Sequence, residues 1–517
     1  MKKSTLILAF LMGYFILTAQ QKPSIIPIPQ NYRAQNATCH LNSDVSIYFD
    51  NPLLADEAHF LQAKIFEDKA LTLPMGKGLK ESGISLVLTG DDTRKGAYTL
   101  NMSNNSIRIE SGTEEGIFNG IISLLQLIEF SSSEAIPCWN IEDFPKHDWR
   151  GVMLDESRHF FGKEKVKSLL DWMAFYKLNR FHWHLTDEPG WRIEIKKYPL
   201  LTYIGGIGNQ TDPDAAPMYY TQEDIKEIVK YAADRKITVI PEVDMPGHAR
   251  AANRAYPEFS GGGSERYPHF TFNPGLEGTY QYLTDILKEV DVLFPSQMIH
   301  LGGDEVHFGN QQWNEIEGIQ KLMAENNYTD LAEVEEHFMV RMADSLFAMG
   351  NKLLAWDEVA DIDLPTDQTI IFWWRHDQPD YLQKALDRNY QVVLCPRIPL
   401  YFDFVQHDIH EVGRRWAGAY SDLEGVYTFD ADHYAKEKVS QVLGIQANLW
   451  TEVIRTPERF DFMMFPRISA LSEAAWGSNS SFSDYEERLG DHLSLYDELG
   501  IYYFDPFNPE EWGEPLE

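Results

Sequence analysis

Cysteine is scarce in this sequence, which has only three among 517 residues: Cys39, Cys138 and Cys395. Their spacing matches no metal-binding pattern, and three thiols cannot build a disulfide framework for so long a chain. Cys395 ends an apolar run that is typical of a buried strand. A single Cys39–Cys138 bridge stays open, because connectivity cannot be read from a sequence.

Positive charge is also scarce. The chain carries 45 Lys and Arg against 79 Asp and Glu, a net charge of −34. Such a field repels phosphate backbones and anionic lipid, so nucleic acid and membrane surfaces are disfavoured as partners. A composition of 44% hydrophobic and 13% aromatic residues excludes general disorder. The balance favours a folded protein that acts on a neutral substrate.

The sequence has one long hydrophobic run, and it lies at the N-terminus. Lys2 and Lys3 precede an apolar stretch from Leu6 to Leu17, and Ala19 offers a small residue for cleavage. The stretch is shorter than the ~20 residues that span a bilayer. We therefore predict a signal peptide over residues 1–19 and an exported protein, periplasmic or secreted, with no membrane span after its removal.

The next part of the chain, residues 20–145, predicts a small α+β domain. The short strand-like runs VSIYF, ISLVL, YTLNM and SIRIE alternate with two helical patterns. One helix is predicted over residues 55–69. The other is predicted over residues 114–130, where apolar residues recur at helical spacing.

Residues 146–505 predict a (β/α)8 barrel, and residues 506–517 a C-terminal tail. Eight strand-like runs alternate with amphipathic helices over ~340 residues, as in such barrels. The runs are VMLD (152–155), FHWHL (181–185), ITVIPEV (237–243), MIHL (298–301), LLAW (353–356), TIIFW (369–373), QVVLC (391–395) and VLGIQA (442–447).

Acidic side chains recur where these runs end, and the strand C-termini form the active face of such a barrel. They are Asp155, Asp187, Glu242, Asp244, Asp304, Glu305, Asp357, Glu358, Asp403 and Glu452. Any one of them alone is explained as an ordinary surface carboxylate of an acidic protein. Their recurrence at one place in the repeating unit predicts a site.

The stretch HLGGDEVHF (300–308) places Asp304 and Glu305 side by side. Neighbouring side chains on a strand point to opposite faces, so both reach one substrate only if the strand end turns, which Gly302 and Gly303 allow. An ordinary retaining glycosidase places its carboxyls ~5 Å apart across the sugar. An adjacent pair instead predicts that Glu305 is a general acid and that Asp304 orients another group of the substrate.

The barrel region resembles glycoside hydrolase family 20, the β-N-acetylhexosaminidases. The resemblance rests on seven motifs in the family's order. They are WRGVMLDESRHF (149–160), FHWHLTDEPGWRIEI (181–195), IPEVDMPGHA (240–249), HLGGDEV (300–306), LLAWDE (353–358), YFD (401–403) and ANLWTE (447–452). It implies a cofactor-free exo-hydrolase that removes terminal N-acetylglucosamine or N-acetylgalactosamine from glycans.

The resemblance also implies roles for individual residues. Glu305 is expected to be the general acid/base, and Asp304 to orient the acetamido group whose oxygen attacks the anomeric carbon. The expected sugar-binding residues are Arg158, Trp356, Trp374, Tyr401, Asp403, Trp450 and Glu452, with Trp373 as an alternative to Trp374. Asp187 and His248 are expected to support Glu305. The chain departs from the family at Glu188-Pro189, where members usually read Asp-Gln, which puts the contacts of this loop in doubt.

Three alternatives remain open at this point. His182 and His184 form an H-x-H pair on one strand face, as in metal-dependent barrel hydrolases. In the second alternative, the protein is a glycan-binding barrel that has lost catalysis, although neither member of the Asp304–Glu305 pair is replaced. A third alternative is a two-carboxylate glycosidase with Asp357 or Glu358 as its nucleophile. Oligomeric state and the preference between the two sugars do not follow from the sequence.

Overall fold

The computed structural model describes residues 22–90, 94–131, 135–415, 418–477, 479–510 and 513–515. The predicted signal peptide lies outside the described residues. Within them, no helix is both long and apolar enough to cross a membrane. Cys39, Cys138 and Cys395 are buried free thiols.

The N-terminal domain is a seven-stranded mixed sheet with two long helices. The strand order is β1-β7-β5-β6-β4-β2-β3. The strands are β1 Asn31–His40, β2 Ile47–Phe49, β3 Met75–Lys77, β4 Gly83–Leu88, β5 Tyr98–Met102, β6 Ser106–Ser111 and β7 Ala135–Asp143. The helices are α1 Ala55–Lys69 and α2 Glu114–Glu129. The four predicted runs form β2, β4, β5 and β6, whereas β1, β3 and β7 were not predicted.

The second part is a closed barrel of eight parallel strands. The strands are β8 Trp149–Asp155, β9 Arg180–His184, β10 Thr238–Glu242, β11 Met298–His300, β12 Lys352–Trp356, β13 Thr369–Trp373, β14 Gln391–Leu394 and β15 Val442–Leu449. Each corresponds to one of the eight predicted runs, and β15 pairs with β8 to close the ring. The predicted fold class is confirmed.

Helices cover the outside of the barrel. The longer ones are α3 Lys163–Phe175, α5 Gln222–Ala233, α7 Glu277–Leu293, α8 Glu317–Asn326, α9 Leu331–Ala348, α10 Pro379–Asp387, α14 Pro457–Met464, α15 Arg467–Trp476 and α16 Phe482–Leu499. The shorter ones are α4 Leu200–Tyr203, α6 Arg250–Ala255, α11 Arg397–Leu400, α12 Leu423–Tyr427 and α13 Ala431–Ala435. Capping boxes begin α5 at Thr221 and α9 at Asp330, which satisfies backbone donors at those helix starts.

The N-terminal domain and the barrel are joined by buried apolar contacts and buried polar contacts. Almost every residue of α2 is buried, and the Gln126 side chain on it donates to the carbonyl oxygen of Phe175 at 2.7 Å. Lys177 Nζ lies 3.2 Å from Asp143 Oδ2, with both side chains fully buried. A buried ion pair of this kind is costly to break, so it fixes the sheet against the barrel.

Candidate active site

The loop after β11 turns Asp304 and Glu305 toward one pocket. Gly302 and Gly303 have φ of +69° and +85°, and Glu305 itself has φ of +54°. A Cβ at Gly302 would lie 1.8 Å from Asp244 Oδ1, so a larger residue is excluded there. Because the backbone is left-handed here, neighbouring side chains no longer point to opposite faces as they do along a strand, and both carboxylates line the same pocket.

The pocket lies at the C-terminal face of the barrel, where the βα loops meet. Of the residues predicted from the sequence, all but Asp187 and Asp403 line it. The lining residues are Arg158, His248, Asp304, Glu305, Trp356, Trp374, Arg397, Tyr401, Phe404, Arg414, Trp450 and Glu452. Arg397, Phe404 and Arg414 were missed by the sequence analysis. Asp187 and Asp403 lie behind the lining, each bound to an arginine that faces the pocket.

Aromatic rings form the walls of the pocket. The ring centre of Trp450 lies 5.9 Å from that of Trp356 and 6.2 Å from that of Tyr401. Trp374 stacks on Tyr401 at 6.5 Å with an angle of 14° between the rings. Trp373 instead packs on Tyr434 and is fully buried. Of the two neighbouring residues Trp373 and Trp374, it is therefore Trp374 that lines the pocket.

Asp187 connects the arginine of the pocket to its histidine. Its Oδ2 lies 2.7 Å from Arg158 Nη2, and its Oδ1 lies 3.1 Å from His248 Nδ1. The Glu188-Pro189 departure leaves this carboxylate in place, since the Asp187 amide donates to the Gly190 carbonyl at 3.2 Å. Arg158 also pairs with Asp155 at 3.2 Å, but inside the pocket rather than on the surface.

His248 faces the two adjacent carboxylates. Its Nε2 lies 3.7 Å from Asp304 Oδ2 and 3.9 Å from Glu305 Oε2. Burial lowers the pKa of His248, but Asp187, Asp244 and Asp304 together raise it well above its usual value. Burial raises the pKa of Asp304 to about 6, with His248 opposing the rise and Glu305 adding to it. A cationic His248 thus favours an ionised Asp304 near neutral pH.

Beneath the pocket, a buried carboxylate gathers the histidines of neighbouring strands. In the strand register Glu242 pairs with His184 on one side and with His300 on the other, which places the three side chains in one layer of the barrel. Glu242 Oε2 lies 2.8 Å from both His182 Nε2 and His184 Nδ1. Trp356 Nε1 donates to Glu242 Oε1 at 3.0 Å, which ties a pocket wall to this layer.

Both rings of the H-x-H pair therefore face the buried Glu242 carboxylate. His184 Nε2 lies 2.9 Å from Asp187 Oδ2, so both of its ring nitrogens face carboxylate oxygens, which favours the doubly protonated ring. Burial lowers the pKa of His184, but Glu242 and Asp187 raise it well above its usual value. His182 Nδ1 receives the Gln446 side-chain amide at 3.1 Å, and burial lowers its pKa to about 4. The raised pKa of His184 favours its cationic form between the two carboxylates, and the lowered pKa of His182 favours its neutral form beside Glu242.

At the opposite rim, one arginine holds two carboxylates. Arg414 Nε lies 2.8 Å from Asp403 Oδ2, and Arg414 Nη2 pairs with Glu452. Burial raises the pKa of Asp403 to about 7, with Arg414 opposing the rise and Glu452 adding to it. Arg414 comes from a long loop without periodicity, so no pattern in the sequence pointed to it.

The carboxylates of the LLAWDE motif are turned away from the pocket. Arg375 Nε donates to Asp357 Oδ1 at 2.6 Å, and the Trp374 backbone N–H donates to Asp357 Oδ2 at 3.1 Å. Glu358 accepts from Trp374 Nε1 at 3.1 Å. Neither carboxylate lines the pocket, and both hold Trp374 from behind.

Comparisons with known proteins agree with this geometry. The family model described as glycosyl hydrolase family 20, catalytic domain, matches residues 147–479, and the one described as glycosyl hydrolase family 20, domain 2, matches residues 22–144. The chain belongs to glycosyl hydrolase family 20. The predicted family is confirmed.

Individual relatives are similar over most of the chain. A β-hexosaminidase of Porphyromonas gingivalis is 34% identical over 95% of this chain, and one of Vibrio furnissii is 38% identical over 73% of it. This chain spans 65% of the length of each of these relatives. A solved family 20 exo-β-N-acetylglucosaminidase of Vibrio harveyi has a TM-score of 0.86 at 32% identity, covering 95% of this chain and 80% of its own. A β-N-acetylhexosaminidase of Bacteroides fragilis has a TM-score of 0.81 at 31% identity, covering 93% and 96%.

Proposed function

We propose that this chain is an exo-acting, retaining β-N-acetylhexosaminidase. It removes terminal, non-reducing β-linked N-acetylglucosamine or N-acetylgalactosamine from glycans and needs no cofactor. The observation that carries the proposal is the turn that brings Asp304 and Glu305 to one pocket while Asp357 and Glu358 are bound elsewhere. Among the described residues, the other carboxylate that lines the pocket is Glu452, which is paired with Arg414.

In the first step, the substrate supplies its own nucleophile. Glu305 donates a proton to the glycosidic oxygen as its bond to the anomeric carbon breaks. The acetamido carbonyl oxygen forms the new bond to that carbon and gives a bicyclic oxazolinium ion. Asp304 accepts the amide N–H and stabilises the positive charge that develops, and Tyr401 donates its hydroxyl to the attacking oxygen.

In the second step, water attacks the anomeric carbon from the side that the leaving group has left. Glu305 accepts a proton from this water, and the bond to the acetamido oxygen breaks, which restores the amide. Two inversions at one carbon leave the configuration retained. Arg158 and Glu452, which line the pocket, bind the outer hydroxyls, and Asp403 supports Glu452 from behind through Arg414. The tryptophan walls exclude bulk water, which strengthens each charged contact.

The proposal is tested with matched aryl β-glycosides of N-acetylglucosamine and glucose, with and without an N-acetyl-thiazoline that imitates the bicyclic ion. We expect turnover of the acetamido sugar alone, blocked by the thiazoline and unaffected by a metal chelator. Comparable turnover of the glucoside would require an enzyme nucleophile and would refute the mechanism. Loss of activity with chelator would revive the metal-dependent alternative.

Two substitutions separate catalysis from binding. Glu305→Gln is expected to lose about 10²–10⁴-fold in kcat, the usual contribution of a general acid. Asp304→Asn is expected to cut kcat severely for N-acetyl substrates while the fold, checked by circular dichroism, stays normal. Activity of Glu305→Gln equal to that of the unchanged enzyme would favour a binding protein without catalysis.

We also propose that the protein is exported, on the support of the signal-like residues 1–19. Mass measurement of the N-terminus after expression in a bacterial host tests this proposal. Cleavage after Ala19 is the expected result. An intact Met1 in the cytoplasmic fraction would contradict it.

A further inference from the structure

A row of aromatic rings leads from the catalytic pocket to the surface. The ring centre of Phe270 lies 4.8 Å from that of His248, and Tyr267 lies 5.6 Å from Phe270. Phe308 then stacks on Tyr267 at 5.7 Å, with an angle of 14° between the rings. Phe270 is 1% exposed, whereas Phe308 is 37% exposed. The row therefore begins in the core and ends as an open apolar surface.

The exposed end of the row lies beside the general acid. The backbone N–H of Phe308 donates to the carbonyl oxygen of Glu305 at 2.9 Å, so one tight turn links the two residues. The side chain of Glu305 lines the pocket and is itself 33% exposed. The surface at Phe308 thus continues directly from the edge of the pocket at which Glu305 lies.

Hydrogen bonds hold this surface in a fixed shape. Ser264 Oγ donates to the carbonyl oxygen of Phe308 at 2.8 Å, and the Gly263 N–H donates to Gln312 Oε1 at 2.7 Å. A Cβ at Gly309 would lie 2.4 Å from Phe270, so the backbone after Phe308 packs closely on the row. A rigid aromatic surface loses little entropy when a ligand binds to it.

Phe308 is the most exposed residue of the row, at 37%, and His307 packs on it with ring centres 4.4 Å apart. On Tyr267, the guanidinium of Arg266 lies 5.2 Å from the ring centre and Phe308 stacks against the ring as well. Exposed apolar patches rimmed by polar residues mark binding grooves. The neighbouring Arg266 and Glu265 are exposed and supply such a rim.

We propose that Phe308, backed by Tyr267, binds the sugar that carries the leaving oxygen. This inference rests on the proposed function: Glu305 protonates that oxygen, so the sugar bearing it must lie next to Glu305 on the open side of the pocket. The C–H face of a pyranose is apolar and matches the face of an aromatic ring. The preferred substrates are then di- and oligosaccharides, in which a neutral pyranose follows the cleaved bond.

The test compares two substrates that differ only in the leaving group, N-acetyl-β-glucosaminyl fluoride and N,N′-diacetylchitobiose. In Phe308→Ala, we expect the ratio of kcat/KM for the disaccharide to that for the fluoride to fall about tenfold, because stacking on a ring contributes about that much. Phe308→Trp keeps the stacking surface and should restore the ratio. Leu499→Ala, at a leucine that is 60% exposed on α16, is the matched control and should leave the ratio unchanged.

An unchanged ratio in Phe308→Ala would overturn the inference, as would an equal fall for both substrates. Hydrolysis of neither substrate by the unchanged enzyme would instead refute the proposed function. The two failures are therefore distinguishable. The melting temperature of each variant shows whether the substitution has altered the fold.

Discussion

Two carboxylate clusters border the same pocket, and they are built differently. The inner cluster, Asp187 and Glu242, is fully buried and is held by Arg158 and several histidines. In the outer cluster Asp403 is also buried, but Glu452 is 20% exposed and the Arg414 that holds both is 34% exposed. The charged groups of the inner cluster are held in place by buried contacts before a substrate binds. In the outer cluster, Arg414 and Glu452 are partly exposed, so we expect a bound substrate to compete for their contacts. We expect the inner cluster to control the rate and stability and the outer cluster to control binding.

The largest effect is expected from Asp187→Asn. This change removes the partner of Arg158, His184 and His248 at once, and the loss of one partner from a buried ion pair costs about 3–5 kcal/mol. We expect kcat/KM to fall about 10²–10³-fold, mainly through kcat. The same substitution at Asp403 is the matched comparison, and it should lower kcat/KM only about tenfold, mainly through KM, because its partner Arg414 is 34% exposed and water can solvate the charge left behind. Equal losses at the two positions would remove the distinction between the clusters.

A second effect is expected on stability, from Glu242→Gln. The free energy of unfolding should fall by about 3–5 kcal/mol, because His184 loses one of its two buried carboxylate partners. The folded-state pKa of Glu242 is lowered and that of His184 is raised. The stabilisation is therefore complete between the unfolded-state values, about 4.3 and 6.5, and it declines as the pH rises through the pKa of folded His184 or falls through that of Glu242.

The measurement is urea unfolding of both proteins at about pH 6 and about pH 9. The difference in the free energy of unfolding should be larger at the lower pH. Glu336→Gln, at an exposed glutamate on α9, is the control and should show no difference. A difference that does not change with pH would mean that His184 is not the charged partner.

The smallest effect is expected from Arg414→Gln. The pKa of Asp403, about 7 in the unchanged protein, would then rise further, because Arg414 no longer opposes burial and Glu452, so less of Asp403 would be ionised at neutral pH. We expect KM to rise about tenfold, and the acidic limb of kcat/KM to move to higher pH. Arg415→Gln changes the next, exposed arginine and should alter neither. An acidic limb of kcat/KM that stays at the same pH in Arg414→Gln would show that this limb does not report the titration of Asp403.

The sequence predicted the carboxylates of both clusters, but not the arginine that holds the outer one. The end of a strand can be recognised in the sequence because an acidic residue follows an apolar run. His182 and His184 lie on β9, and Glu242 lies on the adjacent strand β10, where it pairs with His184. Arg414 lies in a loop without a periodic pattern, and its partner Glu452 is 38 residues away in the chain. Loops are positioned by tertiary contacts, so a residue on one cannot be assigned to a site by local pattern alone.

A similar limit applies to the N-terminal sheet. β2, β4, β5 and β6 are short apolar runs bounded by turn residues, and these are the strands that were predicted. β1 has the sequence NYRAQNATCH and exposes much of its surface, while β7 contains Pro137. Proline lacks a backbone donor and lowers the strand signal, although here it pairs with Thr38 at the edge strand β1. Partner strands far apart in the chain supply the stability that the local sequence does not indicate.

The central claim is that Asp304 serves the acetamido group of the substrate and that no side chain attacks the sugar. The most direct test is kcat for a series of aryl β-glycosides whose N-acetyl group carries none, one, two or three fluorines. Fluorine withdraws electrons from the carbonyl oxygen and leaves the rest of the sugar almost unchanged. We predict a steep fall in kcat with each added fluorine. Rates that stay level along the series would contradict the account and require a nucleophile on the protein.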